Sequence, residues 1–240
     1  MNTACWLSAS DLSRQLDVGG VTSAEAVHSV LERIRQCEPR LNALYLEKSQ
    51  SARSAADASD ARWAAGKALS PLDGVPVTLK ENIYTVGDPA PIGTAANTTE
   101  PKAVNSPVAD RLREAGLVLV GKTTMPDFGM LSSGQSSFHG VTRNPWQPSR
   151  NPGGSSSGAG AACAAGYGPL HIGTDIGGSI RLPASFCGIF GLKPSLGRVP
   201  INPPYMGRVA GPMTRTVLDA ALLMNVISRP DPDHRDFMDL

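Results

Sequence analysis

Two runs rich in glycine and serine carry the clearest indication of chemistry in this sequence. They are residues 151–162 (NPGGSSSGAGAA) and residues 173–184 (GTDIGGSIRLPA). In the second run, Gly177 and Gly178 tolerate backbone conformations that other residues avoid, so several consecutive N–H groups can point at one atom. Such an array stabilises an oxyanion, as acyl-transfer chemistry requires. Spacing alone leaves an equal alternative open, a pair of flexible turns without a catalytic role.

Two other patterns match known functional motifs. Residues 116–123 (GLVLVGKT) fit the phosphate-binding loop, but LVLV favours a strand whose N–H groups would be used by a sheet, which argues against a nucleotide site. Residues 154–158 (GSSSG) fit the nucleophile elbow of α/β-hydrolases, with Ser156 as the nucleophile. That motif needs a strand before it and a histidine after it. A Pro-broken loop precedes it, His171 lies in a predicted strand and His234 in a polar tail, so the elbow is kept only as a second interpretation.

Helices and short buried strands alternate along the chain and would position these runs. Thr22 and Glu25 form a capping box, and apolar residues continue at helical spacing to a predicted helix end before Pro39. Further helices are predicted over 49–66, 106–115, 157–166 and 214–227, and strands over 75–79, 117–120 and 170–173. This alternation predicts an α/β fold, with a mixed or mostly parallel sheet covered by helices on both faces.

Composition and charge narrow the class of protein. The 240 residues are 41% hydrophobic and 18% charged, which suits one large domain or two small ones. The net charge is +1 with scattered Lys and Arg, so no nucleic-acid partner is expected. The sequence has neither a signal-peptide pattern nor the roughly 18 consecutive apolar residues of a membrane helix. Cys163 and Cys187 are expected to be buried thiols, and the four cysteines lack metal-ligand spacing. These features predict a cytoplasmic protein with no membrane contact and no metal.

Taken together, the two runs resemble the signature of the amidase signature family, which includes fatty acid amide hydrolase and the A subunit of glutamyl-tRNA amidotransferase. Residues 79–82 (LKEN) are similar to the family's lysine motif. Residues 121–128 (GKTTMPDF) and 185–194 (SFCGIFGLKP) are similar to two further family segments, so the resemblance runs from about residue 8 to 228. It implies the fold of that family and the hydrolysis of linear carboxylic amides without a cofactor.

The resemblance also implies a role for each matching residue. Lys80 matches the general base, Ser155 the serine that relays the proton, and Ser179 the nucleophile. The matching oxyanion-hole loop is Ile176, Gly177, Gly178 and Ser179. Residues implied to hold the loops in shape are Gly154, Asp175 and Arg181, with a cis peptide bond between Gly154 and Ser155.

Lys80 must be neutral to act as a base, and burial at the end of an apolar strand would lower its pKa. Without the resemblance, an exposed lysine paired with Glu81 is the simpler interpretation. A loop formed by Met130, Leu131, Ser132 and Ser133 resembles a family loop near the site and is predicted to line the substrate pocket, although the same residues suit an ordinary loop.

Compared with the usual family domain, the chain ends near the middle, so we expect the N-terminal portion of a single domain that is incomplete at its C-terminus. Residues 1–70 would form a helical framework, 71–228 would carry the catalytic motifs, and 229–240 would form a polar tail outside the packed body.

Three functions remain open from the sequence. The first is a stand-alone amidase for a small-molecule amide, for which the resemblance suggests a homodimer. The second is a glutaminase of the A-subunit type that passes ammonia to a partner, although residues 125–133 (MPDFGMLSS) lack the Asp/Glu-Phe-Ala-Met segment of that subunit. The third is an inactive, truncated amidase that acts as a binding module.

Overall fold

A computed structural model describes residues 4–233 of the chain. The α-helices are α1 (Ala9–Asp17), α2 (Ser23–Leu41), α3 (Ser49–Ala64), α4 (Pro107–Glu114), α5 (Ser157–Ala165), α6 (Arg181–Cys187) and α7 (Val217–Ile227). The strands are β1 (Leu44–Glu47), β2 (Pro76–Lys80), β3 (Val118–Thr123), β4 (Gln135–Ser136), β5 (Gly140–Val141), β6 (Leu170–Asp175), β7 (Phe190–Gly191) and β8 (Val209–Thr214).

Six of these strands form one sheet in the order β1-β3-β2-β6-β8-β7. Strand β2 pairs in parallel with β3 and β6, whereas β1, β8 and β7 join their neighbours antiparallel. The predicted mixed sheet is therefore confirmed. Because β2 and β6 are adjacent and parallel, their last residues, Lys80 and Asp175, reach the same edge of the sheet, where α/β proteins place their ligands.

Two apolar clusters cover the opposite faces of this sheet. In β3, Val118 and Val120 pack into a cluster with α2 and α5. Leu119, and Leu117 just before the strand, pack into the cluster that contains α1, α4 and α7. The alternation follows from the two-residue repeat of side chains along a strand. Helices cover both faces of the sheet, as the sequence predicts.

Helix α5 consists almost entirely of glycine, alanine and serine, and all of its residues except Ala164 are buried. It packs against β2, β3, β6 and β8. Helices usually lie farther from a sheet because their side chains separate the two backbones. Small side chains remove that spacing, so the loop that precedes α5 lies directly above the carboxyl ends of β2 and β6.

The capping box of α2 is confirmed, since Thr22 accepts from the Glu25 N–H and the Glu25 carboxylate accepts from the Thr22 N–H. The predicted end before Pro39 is wrong, because α2 continues through Pro39 to Leu41. A proline in the last turn of a helix removes only one hydrogen bond. Burial of Leu41 in the core holds that turn in place.

The C-terminal region differs most from the sequence prediction. Strand β8 was not predicted, and the last helix begins at Val217 with Thr216 as its N-cap, not at Thr214. The tail was expected to leave the packed body at residue 229, but its first residues pack: the Pro230 carbonyl accepts from Arg111 and Asp231 is buried. The rest of that prediction concerns residues 234–240, which lie outside the described part.

The structure also bears on the cysteines, on membrane-spanning helices and on metal ligands. All four cysteines are free and buried, including Cys163 and Cys187 as predicted. Among residues 4–233, no helix is both long and apolar enough to cross a bilayer. The same residues contain no cluster of three or more His, Cys, Asp or Glu side chains suited to a metal ion.

Candidate active site

Three separate loops or strand ends bring the proposed catalytic residues to one cleft. Lys80 is the last residue of β2, Ser155 lies in the loop before α5, and Ser179 lies in the loop between β6 and α6. Ser155 and Ser179 both line a cleft of about 650 Å³. This volume is within the range of small-molecule binding sites.

Lys80 is fully buried and points at two serine hydroxyls. Its Nζ lies 2.8 Å from the Oγ of Ser155 and 3.0 Å from the Oγ of Ser156. The Ser156 hydroxyl is fixed in turn by Thr174, donating to its carbonyl at 3.1 Å and accepting from its N–H at 3.2 Å. Lys80 is therefore held between a serine that faces the cleft and a serine that anchors the strand end.

Burial lowers the pKa of Lys80 to about 7, and the positive charge of Arg208 acts in the same direction. Removing an ammonium group from water disfavours its charged form. The negative charges of Asp175 and Glu81 oppose this shift without reversing it. A large fraction of Lys80 is thus neutral near pH 7 and able to accept a proton.

The Gly154–Ser155 peptide bond is cis, as the resemblance implies. Gly154 also lies against the loop of residues 131–133: a Cβ at Gly154 would approach both the N and O of Ser133 to 2.6 Å and the Leu131 carbonyl to 2.7 Å. Only glycine fits this position, because each of these atoms belongs to backbone. The position of Ser155 is therefore set by close contact between two loops.

Asp175 organises the loop that carries Ser179. One carboxylate oxygen accepts from the Gly178 N–H at 2.8 Å, and the other accepts from the Ile180 N–H at 3.0 Å. Arg181 donates to both oxygens through its guanidinium, at 2.9 and 3.1 Å. Burial alone would raise the pKa of Asp175, but these hydrogen bonds outweigh it and the pKa falls to about 2.

The N–H groups of this loop divide into two sets. The Gly178 N–H is bonded to Asp175, so it holds the loop and differs in this respect from the expected set of four oxyanion donors. Within residues 4–233, the N–H groups of Ile176, Gly177 and Ser179 donate to no protein acceptor. Those three remain able to receive an oxyanion.

The cleft includes most of the predicted substrate loop. Met130, Leu131 and Ser132 line it together with Phe128 and Ile176. Ser133 is not part of the cleft lining, and its backbone instead packs against Gly154. Apolar side chains therefore form much of the cleft wall beside Ser179.

Several cleft residues were not predicted from the sequence. Asn82 lies two residues after Lys80 and donates to the Thr174 hydroxyl at 3.1 Å. Its place in the LKEN segment is a signal that could have identified it. Tyr205 and Arg208 also line the cleft. They lie far from both glycine-rich runs, and only the pairing of β8 with β6 brings them near the site.

Within residues 4–233, neither alternative motif forms a site, and His234 lies outside this range. Residues 118–123 pair within the sheet as β3, and Lys122 is buried with its Nζ bonded to the Ile83 carbonyl and the Thr85 hydroxyl. Ser156 has no exposed surface. His171 is buried within β6 between Thr78 and a backbone carbonyl, and burial lowers its pKa to about 3.

Lys122 also shows that a lowered pKa alone does not identify a base. Burial lowers the pKa of Lys122 to about 7, as it does for Lys80. Lys122 contacts a carbonyl and a threonine at the side of the sheet, and neither Lys122 nor Thr85 is among the residues that line the cleft with Ser179. What distinguishes Lys80 is its contact with Ser155.

The chain is similar in fold to solved structures of amidases. A bacterial aryl acylamidase of the amidase signature family superposes with a TM-score of 0.92 and 36% identity, covering 98% of this chain and 50% of that one. The peptide amidase of Stenotrophomonas maltophilia gives a TM-score of 0.88 and 34% identity, covering 95% and 49%.

The chain is also similar in sequence to subunits of an amidotransferase. The A subunit of glutamyl-tRNA(Gln) amidotransferase from Chloroflexus aggregans is 43% identical over 235 residues, which is 95% of this chain and 47% of that protein. The chain spans about half the length of the curated relatives it matches. A sequence profile of the amidase family matches residues 25–240. The chain therefore belongs to the amidase family, as its two glycine- and serine-rich runs indicate.

Proposed function

We propose that the protein hydrolyses the C–N bond of a linear carboxylic amide, giving an acid and ammonia or an amine through an acyl-enzyme on Ser179. One observation carries this proposal: a buried lysine with a pKa of about 7 lies 2.8 Å from Ser155, which shares a cleft with Ser179. Serine needs a base to become a nucleophile, and a neutral lysine can supply it.

The first half of the reaction forms the acyl-enzyme. Neutral Lys80 takes the proton of Ser155, and Ser155 takes that of Ser179 as the Ser179 Oγ bonds to the carbonyl carbon. The carbonyl oxygen becomes an oxyanion, which accepts hydrogen bonds from the N–H groups of Ile176, Gly177 and Ser179. The C–N bond then breaks, and the relay returns the proton to the leaving nitrogen.

In the second half, water attacks the acyl carbon while the same relay takes its proton. The ester bond to Ser179 then breaks, the relay returns the proton to the Ser179 oxygen, and the acid leaves. Gly178, Asp175 and Arg181 act by holding the loop through the hydrogen bonds between them. Gly154 acts by allowing the loop of Ser155 to approach Ser133. Met130, Leu131 and Ser132 contact the substrate, and Ser133 supports Gly154.

Labelling with a fluorophosphonate probe tests this function, because the probe bonds only to an activated serine. We expect labelling of the 240-residue chain and its loss in Ser179→Ala. Labelling that persists in both Ser179→Ala and Lys80→Ala would exclude this triad. A folded wild-type chain that is not labelled would mean that further residues or a partner are needed to complete the site.

A second candidate is a glutaminase of the A-subunit type. The 43% identity with the subunit of Chloroflexus aggregans favours it. Residues 125–130 (MPDFGM) still depart from that subunit's Asp/Glu-Phe-Ala-Met segment. Release of ammonia from glutamine, compared with release from simple amides, separates the two candidates, and a dependence on a partner protein would favour the glutaminase.

The proposal extends to the organisation of the protein. Residues 1–70 would act as a framework and residues 71–228 would carry the site within one domain.

A cytoplasmic location is supported by four cysteines that are all free, since that compartment keeps thiols reduced. A homodimer, expected from the resemblance, would be tested by light scattering.

A further inference from the structure

Arg208 directly precedes β8 and lines the same cleft as Ser155 and Ser179. Its guanidinium donates to the carbonyl of Pro203, and its central carbon lies 5.8 Å from the centre of the Tyr205 ring. The side chain is only partly exposed. These contacts fix the guanidinium in the wall of the cleft and leave donor groups unused, because a guanidinium has five N–H donors.

Within residues 4–233, no carboxylate balances the charge of Arg208, since none forms an ion pair with it. Asp175 is the other charged residue among those that line the cleft, and its carboxylate is occupied by Arg181. A partly desolvated cation without a counter-ion is costly to the folded protein. Burial accordingly lowers the pKa of Arg208 from its usual value.

We propose that Arg208 selects amide substrates that carry a carboxylate at the end opposite the scissile amide. This inference rests on the proposed amidase function and adds the class of substrate. A planar guanidinium binds a carboxylate through two parallel hydrogen bonds, which gives both orientation and charge recognition. A single cation suits a singly charged group such as a carboxylate, whereas a phosphate would require further positively charged side chains.

The walls of the cleft fit such a substrate. The same cleft is also lined by apolar side chains, among them Ile92, Leu182 and Ile176. These would contact the methylene groups that separate an amide from a terminal carboxylate, since burial of each methylene is favourable by about 0.8 kcal/mol. The monoamides of short dicarboxylic acids have this arrangement of an amide, an apolar linker and an anion.

Binding to the Ser179→Ala chain tests the inference without turnover. Glutaramate and glutaramide form a matched pair, because they differ only in a carboxylate against a carboxamide. Calorimetry should show that glutaramate binds about tenfold more tightly or better, as a charge-assisted contact predicts. In Ser179→Ala/Arg208→Gln this ratio should fall to about one, and Arg208→Lys should restore part of it.

Three results would overturn the inference: equal binding of the two ligands to Ser179→Ala, no binding of glutaramate, or a preference that survives Arg208→Gln. The first two need no change at Arg208, so they hold even where Arg208→Gln fails to fold. Fluorophosphonate labelling of the wild-type chain reports separately on the triad. Charge-selective binding without labelling would therefore contradict the proposed function and leave the role of Arg208 supported.

Discussion

The Nζ of Lys80 lies 2.8 Å from the Oγ of Ser155, and no part of the Lys80 side chain is exposed to solvent. Burial has two effects at once. It lowers the pKa of the amine to about 7, and it restricts the lysine to contacts with the two serines of the loop before α5. A base and its proton relay are thus fixed by the same packing.

The rate of fluorophosphonate labelling should therefore depend on pH. Only neutral Lys80 accepts a proton, so labelling should rise with pH through a midpoint near 7 and level off above it. Lys80→Met should remove this dependence and slow labelling by about 10²–10⁴-fold. The exposed Lys67→Met serves as a control and should keep the wild-type midpoint. A wild-type midpoint near the ordinary lysine value would contradict the assignment.

Ser155 and Ser156 both accept a hydrogen bond from Lys80, but they should differ in function. Ser155→Ala breaks the proton relay and should slow labelling by about 10²–10⁴-fold. Ser156→Ala leaves the relay in place and removes a positioning contact to Lys80 and Thr174, so a loss of about tenfold is expected, of the size of one hydrogen bond. Reversal of this order would identify Ser156 as the relay.

Gly154→Ala should destabilise the protein, because the new Cβ would lie 2.6 Å from the N and O of Ser133. Backbone atoms cannot rotate away, so a loss of about 1–3 kcal/mol in the free energy of unfolding is expected. Gly177→Ala is the matched control, since a Cβ there meets no atom within 4 Å. Urea denaturation of both variants measures the difference, and equal midpoints would show that the loops separate easily.

Asp175 should contribute to stability in a pH-dependent way. Its pKa in the folded protein, about 2, lies below the ordinary value of 3.8. The carboxylate therefore stabilises the fold above about pH 4, and this contribution is lost as the pH falls toward 2. Asp175→Asn should reduce the free energy of unfolding at pH 6 by about 1–3 kcal/mol, the size of lost charged hydrogen bonds.

The loss in Asp175→Asn should shrink as urea denaturation is repeated at lower pH, and it should be nearly absent near pH 2. The exposed Asp57→Asn provides the control and should unfold like the wild type at each pH. A loss in Asp175→Asn that is the same at pH 6 and pH 2 would show that the carboxylate charge is not what holds the loop.

Local signals in the sequence predicted much of the fold. The start of α2 was predictable because Thr22 and Glu25 bond to each other's backbone within one turn. Strand β3 was predictable because residues 117–120 form an unbroken apolar run. Strand β8 was missed because Gly211 and Pro212, which are unfavourable in strands, lie in its middle. Its pairing with β6 and β7 involves residues distant in sequence.

In the candidate site too, some residues could be identified from the sequence and others could not. Lys80, Ser155 and Ser179 were identifiable because each lies in a segment that resembles a family motif. Arg208 was not, because arginine in a loop has many uses and only the fold brings it beside the serines. The hydrogen bond from the Gly178 N–H to Asp175 could not be predicted from the sequence either, since it depends on where the Asp175 carboxylate points.

The small residues of α5 have a consequence for how this family is recognised. A methyl group at Gly158 would lie 2.2 Å from the Ala43 carbonyl and 2.5 Å from the Thr124 nitrogen, and one at Gly160 would lie 2.9 Å from Pro183. These glycines are required by volume and take no part in proton transfer. A search with the glycine pattern of α5 would therefore still find a chain in which Lys80, Ser155 and Ser179 had been replaced by other residues. The glycines of α5 thus indicate descent, whereas Lys80, Ser155 and Ser179 lie outside that helix and decide catalysis. An assay is therefore needed to tell an enzyme from an inactive descendant.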